Sequence, residues 1–155
     1  MSFDASAISA ETAFNRMSDL MKGSRRHLID QRDVFTQPTV SSYAALALML
    51  HFRDIIVRMD IAVTVPGLDA YAKSIKGAAY DIAAEWSGVK LAMNDATAQI
   101  LALIPSDGNG FRLILKLLAD GTQDWRTFTA AQAAPIVTKI DAVVAAITDN
   151  GQNLL

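Results

Sequence analysis

Apolar residues along the chain fall into four long runs with a four-and-three spacing. In the first, from about Ser6 to Phe35, one seam holds Ala10, Phe14, Met17, Met21, Ser24 and Leu28. Asn15, Arg16, Asp19, Lys22, Arg26 and Asp30 take the opposite face. That spacing marks one side of an α-helix. Gly23 is a weak point inside it, costing about 1 kcal/mol against alanine. Gln37-Pro38 ends it, because the residue before proline avoids the helical region.

The second run goes from Thr39 or Ser41 to about Val63. Its seam is Ala45, Met49, Phe52, Ile56, Met59 and Val63, but Leu46, Leu48, Leu50, Ile55 and Val57 lie beyond it. A helix that is apolar nearly all round is covered by several neighbours or by another subunit. The excess predicts self-association through residues 43–63, with Leu46 and Leu50 as contact residues. Tyr43 to Leu50 is an unbroken apolar stretch of eight residues, well short of the ~20 that a membrane span needs. Asp54 and Arg58 are placed to pair one turn apart.

Val65-Pro66-Gly67 breaks the chain. A short helix is expected over Leu68–Ile75, closed by Lys76-Gly77 with glycine as the cap. A third long helix is expected from about Ala79 to Ile104, on Ile82, Trp86, Val89, Met93, Ala96, Ile100 and Leu103. Gly88 interrupts it, which points to a close neighbour there. Pro105 to Gly110 reads as a loop.

The period changes over residues 111–128. Phe111, Leu113, Leu115 and Leu117 alternate with Arg112, Ile114, Lys116 and Leu118, and Asp120-Gly121 follows. Asp-Gly between two such runs signals a β-hairpin; a helix over 111–119 is the rival reading, since leucine and lysine are good helix formers. Thr129 then reads as a helix N-cap, with Gln132 completing a capping box. The last helix runs to about Thr148 on Ala133, Ile136, Ile140, Val143 and Ile147, and residues 150–155 are expected to be a loose tail. The pattern predicts a mainly α fold over 1–155 as one domain. It is an antiparallel helical bundle of about four long helices, with a β-hairpin inserted before the last.

Composition narrows the function. The chain has 155 residues, 52% of them hydrophobic and 19% charged. Its mean hydropathy is +0.24 and its pI about 5.6. This excludes intrinsic disorder, and a formal charge of −2 argues against a non-specific nucleic-acid binder. The absence of cysteine removes disulfides, thiol nucleophiles and zinc–thiolate sites. The opening Met1-Ser-Phe-Asp-Ala lacks a basic stretch followed by an apolar one, so no Sec-type signal peptide is expected.

Candidate chemistry is sparse. His27 and Asp30 are three apart, but in the order His-x-x-Asp rather than the carboxylate-x-x-His of a bundle metal motif, a weak hint at most, and no metal or cofactor site is expected at His27 or His51. Asp54 and Asp60 bracket Arg58 and read as ion-paired carboxylates rather than as acid–base groups. Asp107-Gly-Asn-Gly110 has neither the lysine of a P-loop nor the ligand series of a calcium loop. Gly-x-Ser-x-Gly is absent. No catalytic residue is expected, and the chain reads as a non-enzyme. Lys22, Arg25, Arg26 and Arg32 form the one local basic cluster, diluted by Asp19, Asp30 and Asp33. Trp86 falls on a seam and reads as core. Trp125, between Asp124 and Arg126 on the expected hairpin, reads either as a contact residue or as packing; Trp125 and Arg126 are the expected centre of a docking surface.

One stretch resembles a known group of proteins. Arg126-Thr-Phe-Thr-Ala-Ala-Gln-Ala-Ala134, leading into an Ile/Val/Ala helix, is similar to the C-terminal part of small helical proteins of tailed phages and prophages. Those proteins often carry Arg-Thr-Phe-Thr-Pro-Ala-Gln-Thr-Ala there. Val65-Pro-Gly-Leu-Asp-Ala-Tyr-Ala72, Ala79-Tyr-Asp-Ile-Ala-Ala-Glu85 and Asp107-Gly-Asn-Gly-Phe111 resemble the same pattern. The similarity covers roughly residues 40–148, and departs at Ala130, where proline is usual, and at Pro135. It implies a structural part of a virion, in the tail, neck or fibre-attachment region, with homo-oligomerisation and other virion proteins as partners. Neither a membrane nor nucleic acid is an expected partner. The alternative is a soluble phage or bacterial regulator that binds a host protein or nucleic acid through the Arg25/Arg26 face.

Overall fold

The structure, a computed structural model, describes residues 9–103 and 127–148. The expected loop at 105–110, most of the expected hairpin at 111–128 and the tail at 150–155 lie outside the described residues. What is described is mainly helical: α1 (Ala10–Phe35), α2 (Ser42–Ala62), α3 (Leu68–Lys76), α4 (Ile82–Leu103) and α5 (Ala130–Ile147). Four of these are long and one is short. Two strands, β1 (Thr39–Ser41) and β2 (Thr127–Thr129), pair antiparallel.

The helices start and stop where side chains satisfy the free backbone ends. Ser9 caps α1, accepting the Thr12 N–H at 3.1 Å. Asp81 accepts the Ala84 N–H at 3.1 Å at the head of α4. Thr129 and Gln132 form the reciprocal capping box on α5, at 3.2 and 3.0 Å, a device that contributes about 1 kcal/mol. Gly67 (φ +81°) and Gly77 (φ +112°) supply the positive-φ turns on either side of α3. Gly77 donates its N–H to the Lys73 carbonyl at 2.8 Å and closes that helix.

The long helices pack α1 on α2, α2 on α4, α4 on α5 and α5 on α1. The first three of these, α1, α2 and α4, alternate in direction. Residues 13–20 of α1 face 58–65 at the far end of α2, and Ser24 meets His51. Asp60 of α2 meets Trp86 and Lys90 near the start of α4, while Met49 and Leu50 share a groove with Leu101 near its end. The expected seams turn inward almost residue for residue. Phe14, Met17, Met21, Ser24 and Leu28 of α1 are buried, as are Ile82, Trp86, Val89, Met93, Ala96 and Ile100 of α4. So are all five seam residues of α5. Each large aliphatic buried this way contributes about 1.5–3 kcal/mol.

Three expectations change. Thr39–Ser41, expected at the head of the second helix, is a strand. Thr127 and Phe128 lie on a strand as expected, which extends to Thr129, and its described partner is β1, with Thr39 opposite Thr129, Val40 opposite Phe128 and Ser41 opposite Thr127. The reason is alternation over three residues: Val40 and Phe128 point inward and are buried, and their polar neighbours point outward. Among the described residues Gly88 has no close neighbour: a Cβ there would meet none of their atoms within 4 Å.

Candidate interaction face

Helix α2 carries two seams. The inner one buries Ala45, Met49, Phe52 and Met59, with Leu46, Leu48 and Ile55 beside them. The outer one is Tyr43, Ala47, Leu50, Asp54, Val57 and Ile61, again spaced by four and three and offset by two residues from the first. Two residues turn a helix by about 200°, so the seams lie on nearly opposite sides. The outer seam faces solvent. Tyr43 is 51% exposed, Leu50 37%, Val57 53% and Ile61 48%.

A groove flanks this ridge on each side. One, of about 260 Å³, lies between α2 and α4 and is lined by Leu50, Arg53, Val57, Asn94, Thr97 and Leu101 among others. The other, of about 510 Å³, lies between α1 and the end of α2, with Ala13, Leu20, Ile61 and Val65 at its base and Arg16, Asp19 and Arg58 at its rim. Asp54 and Arg58 pair at 3.2 Å on the ridge, at the expected i, i+4 spacing.

The expected contact residues separate. Leu50 lies on the exposed ridge. Leu46 does not: it is fully buried in the chain's own core, because its position faces neighbouring structure and leaves nothing for a partner to touch. Trp125 and Arg126 lie outside the described residues.

Two polar pairs cross between helices. The Trp86 indole N–H donates to Asp60 Oδ1 at 2.9 Å, and Lys90 Nζ donates to Oδ2 at 2.8 Å. Partial burial pushes the Asp60 carboxyl up, but the Lys90 ammonium and the Trp86 N–H outweigh it and hold it below its ordinary value. Asp60 is thus ion-paired, with a partner on α4 rather than Arg58. Trp86 is core, as its seam position required. In the second pair, His51 Nε2 shares a 2.9 Å hydrogen bond with Ser24 Oγ. The His51 ring lies 4.5 Å from that of His27, centroid to centroid. Desolvation, then the neighbouring His27, lowers the His51 pKa to about 4, against a small opposing effect of Asp54. The two polar interruptions of the α1 and α2 seams therefore answer each other. Pairing one interruption with the other is the sequence signal that points to this contact. Among the described residues, no three histidine or carboxylate side chains gather as metal ligands.

The basic cluster is divided. Lys22, Arg25 and Arg26 border a shallow hollow with Ile29 and Asp30. Arg32 points elsewhere and pairs with Asp141 of α5 at 2.8 Å. Helix α5 has the length and apolar content of a membrane span, with a mean hydropathy of 1.4. Its Ala133, Ile136, Ile140, Val143 and Ile147 are spent on the core. No family model, curated protein or solved structure matches this chain.

Proposed function

We propose that this chain is a non-enzymatic structural component of a tailed-phage particle, acting by protein–protein docking and self-assembly. Its architecture on this reading is an antiparallel bundle of four long helices with one short helix added. The observation that carries the docking part is the outer seam of α2. Tyr43, Leu50, Val57 and Ile61 expose large apolar side chains in one line, at a spacing suited to packing against another helix. The virion part rests on the resemblance of Val65–Ala72, Ala79–Glu85 and Arg126–Ala134 to phage-encoded proteins. The partners on this reading are further copies of the chain and other virion proteins, and the location is the particle.

Mass spectrometry of purified particles from a strain that expresses the chain tests the virion part; absence of the chain overturns it. Trp125→Ala should reduce incorporation by about tenfold, roughly 1.4 kcal/mol, with the helical circular dichroism retained. The rival reading, a regulator acting through Lys22, Arg25 and Arg26, draws support from the hollow those residues border. Asp30 on the same rim weakens its appeal to phosphate. A chain that binds a host protein or DNA in solution and stays out of particles would favour it.

A further inference from the structure

Several cations of this chain have a carboxylate beside them. Asp54 pairs with Arg58 and Asp69 with Lys73 one turn apart, and Arg32 and Lys90 pair across helices. Lys22, Arg25 and Arg26 differ. None of them has an ion pair among the described residues, and all three border one hollow of about 240 Å³ on α1. We propose that this hollow is a docking point for an acidic segment of another protein, which sets its carboxylates against Lys22, Arg25 and Arg26. This deepens the docking part of the reading above, rests on it, and names the chemistry of one partner.

The order of charges along α1 leaves these cations without partners. In both one-turn pairs the acid precedes the base by four residues, which is the favourable order. At the hollow the order is reversed: Arg26 precedes Asp30 by four, and the two do not pair. Arg25 has Met21, Lys22, Leu28 and Ile29 as its one-turn neighbours, and none is acidic. Its Nε is buried and has no hydrogen-bond partner among the described residues. A part-buried guanidinium without an acceptor is a costly arrangement that a bound anion relieves. Packing also fixes the Arg25 side chain before a partner arrives, which lowers the ordering cost of binding.

Size and chemistry select the occupant. Three cations border the hollow against one carboxylate, Asp30, so it is positive. It is smaller than the ~300–1,000 Å³ of small-molecule sites, and of a size for side chains. A planar carboxylate matches the guanidinium fork. Asp30 repels a doubly charged phosphate about twice as strongly as it repels a carboxylate. Ile29, 43% exposed, offers an apolar contact that the methylenes of a glutamate use and a phosphate does not. A nucleic-acid backbone draws its affinity from many phosphate contacts, whereas Lys22 to Asp30 spans only about 12 Å of helix on a chain with a net charge of −2.

Fluorescence anisotropy of a labelled oligoglutamate peptide, at low salt, reads the site in the full chain. The wild type should bind it saturably, and Arg25→Gln/Arg26→Gln should weaken binding at least about tenfold. Lys22→Gln/Arg26→Gln changes only exposed side chains and should also weaken it, with the melting temperature retained. Lys139→Gln on α5, another cation without an ion pair among the described residues, should leave binding unchanged. No saturable binding by the wild type, or an equal loss in Lys139→Gln, overturns the proposal. So does tighter binding of a labelled oligothymidine strand that the same variants lose, which would make the hollow a phosphate site. Val57→Asp on the α2 ridge should bind the peptide like the wild type, so the two surfaces are read separately. Arg25→Gln/Arg26→Gln chains that enter particles at the wild-type level would overturn the proposal and leave the reading above standing. A chain that binds the peptide here, yet neither self-associates nor enters particles, would overturn the virion reading and leave the hollow standing.

Discussion

The indole N–H of Trp86 on α4 donates to the carboxylate of Asp60 on α2 across 2.9 Å. A tryptophan buried on a seam must place its N–H somewhere, and here a part-exposed carboxylate reaches in to accept it. Lys90, one turn beyond Trp86, balances the charge. Asp60→Ala leaves the N–H unpaired at the α2–α4 contact and should cost about 1–3 kcal/mol in urea denaturation. Asp60→Asn keeps an acceptor and should cost less. Equal losses for the two variants would show that charge, rather than the Trp86 hydrogen bond, matters at this position.

His51 makes stability depend on pH. Its folded pKa of about 4 lies below the ordinary 6.5, so between those values the unfolded chain binds more protons. Stability from this group is intact above about pH 6.5 and is lost progressively as the pH falls toward 4. His27 opposes a charge on His51 and Asp54 favours one; Ser24 is the neutral hydrogen-bond partner. Solvent screening of a part-exposed ring reduces the full effect to about 1–2 kcal/mol. The loss between pH 7 and 4.5 should be smaller in His51→Gln than in the wild type.

Gly23 and Gly88 sit inside helices where a Cβ would meet no atom of the described residues within 4 Å. Each replacement by alanine should therefore stabilise the protein, by about 0.5–1 kcal/mol. A rise in melting temperature for both variants and their sum is the expected result. A fall for Gly88→Ala would reveal a neighbour that the described residues do not include.

Phe128 and Val40 face each other across the two strands, and both are buried. Phe128→Ala removes a ring from the end of the core where α2 and α5 begin. It should cost about 3 kcal/mol by thermal or denaturant unfolding. Thr127→Ala, on the outward side of the same strand, should cost far less. Similar costs would mean that the strand pairing, and not the inward ring, supplies the stability.

Much of this was legible along the chain, and the exceptions have physical causes. Helix α5 was fully legible: its five seam residues all turn inward and Thr129 and Gln132 make both bonds of the capping box. There one apolar stripe stands among alanines, and periodicity decides the face. In α2 nearly every side is apolar, so hydrophobicity could not say which leucine faces the core. Leu46 and Leu50 looked alike, yet one is buried and the other is not. The partner of β2 was hidden for a different reason. Val40 and Phe128 are far apart in sequence, and strands of three residues are too short for alternation to mark both of them. Trp86 and Asp60 belong to separate helices, and only the need of a buried indole for an acceptor hinted at their contact.

The strand pairing has a mechanical consequence. Each strand runs straight into a helix, Ser41 capping α2 and Thr129 capping α5. Sliding β2 by one residue would turn Phe128 out to water. The next slide that keeps it inward is two residues, or about 6.6 Å. That exceeds one helical turn of about 5.4 Å, and would carry Ile136, Ile140 and Val143 out of the layers they fill. The axial position of α5 is therefore notched rather than continuous. Three residue pairs act as a detent, and the last helix clicks into one depth.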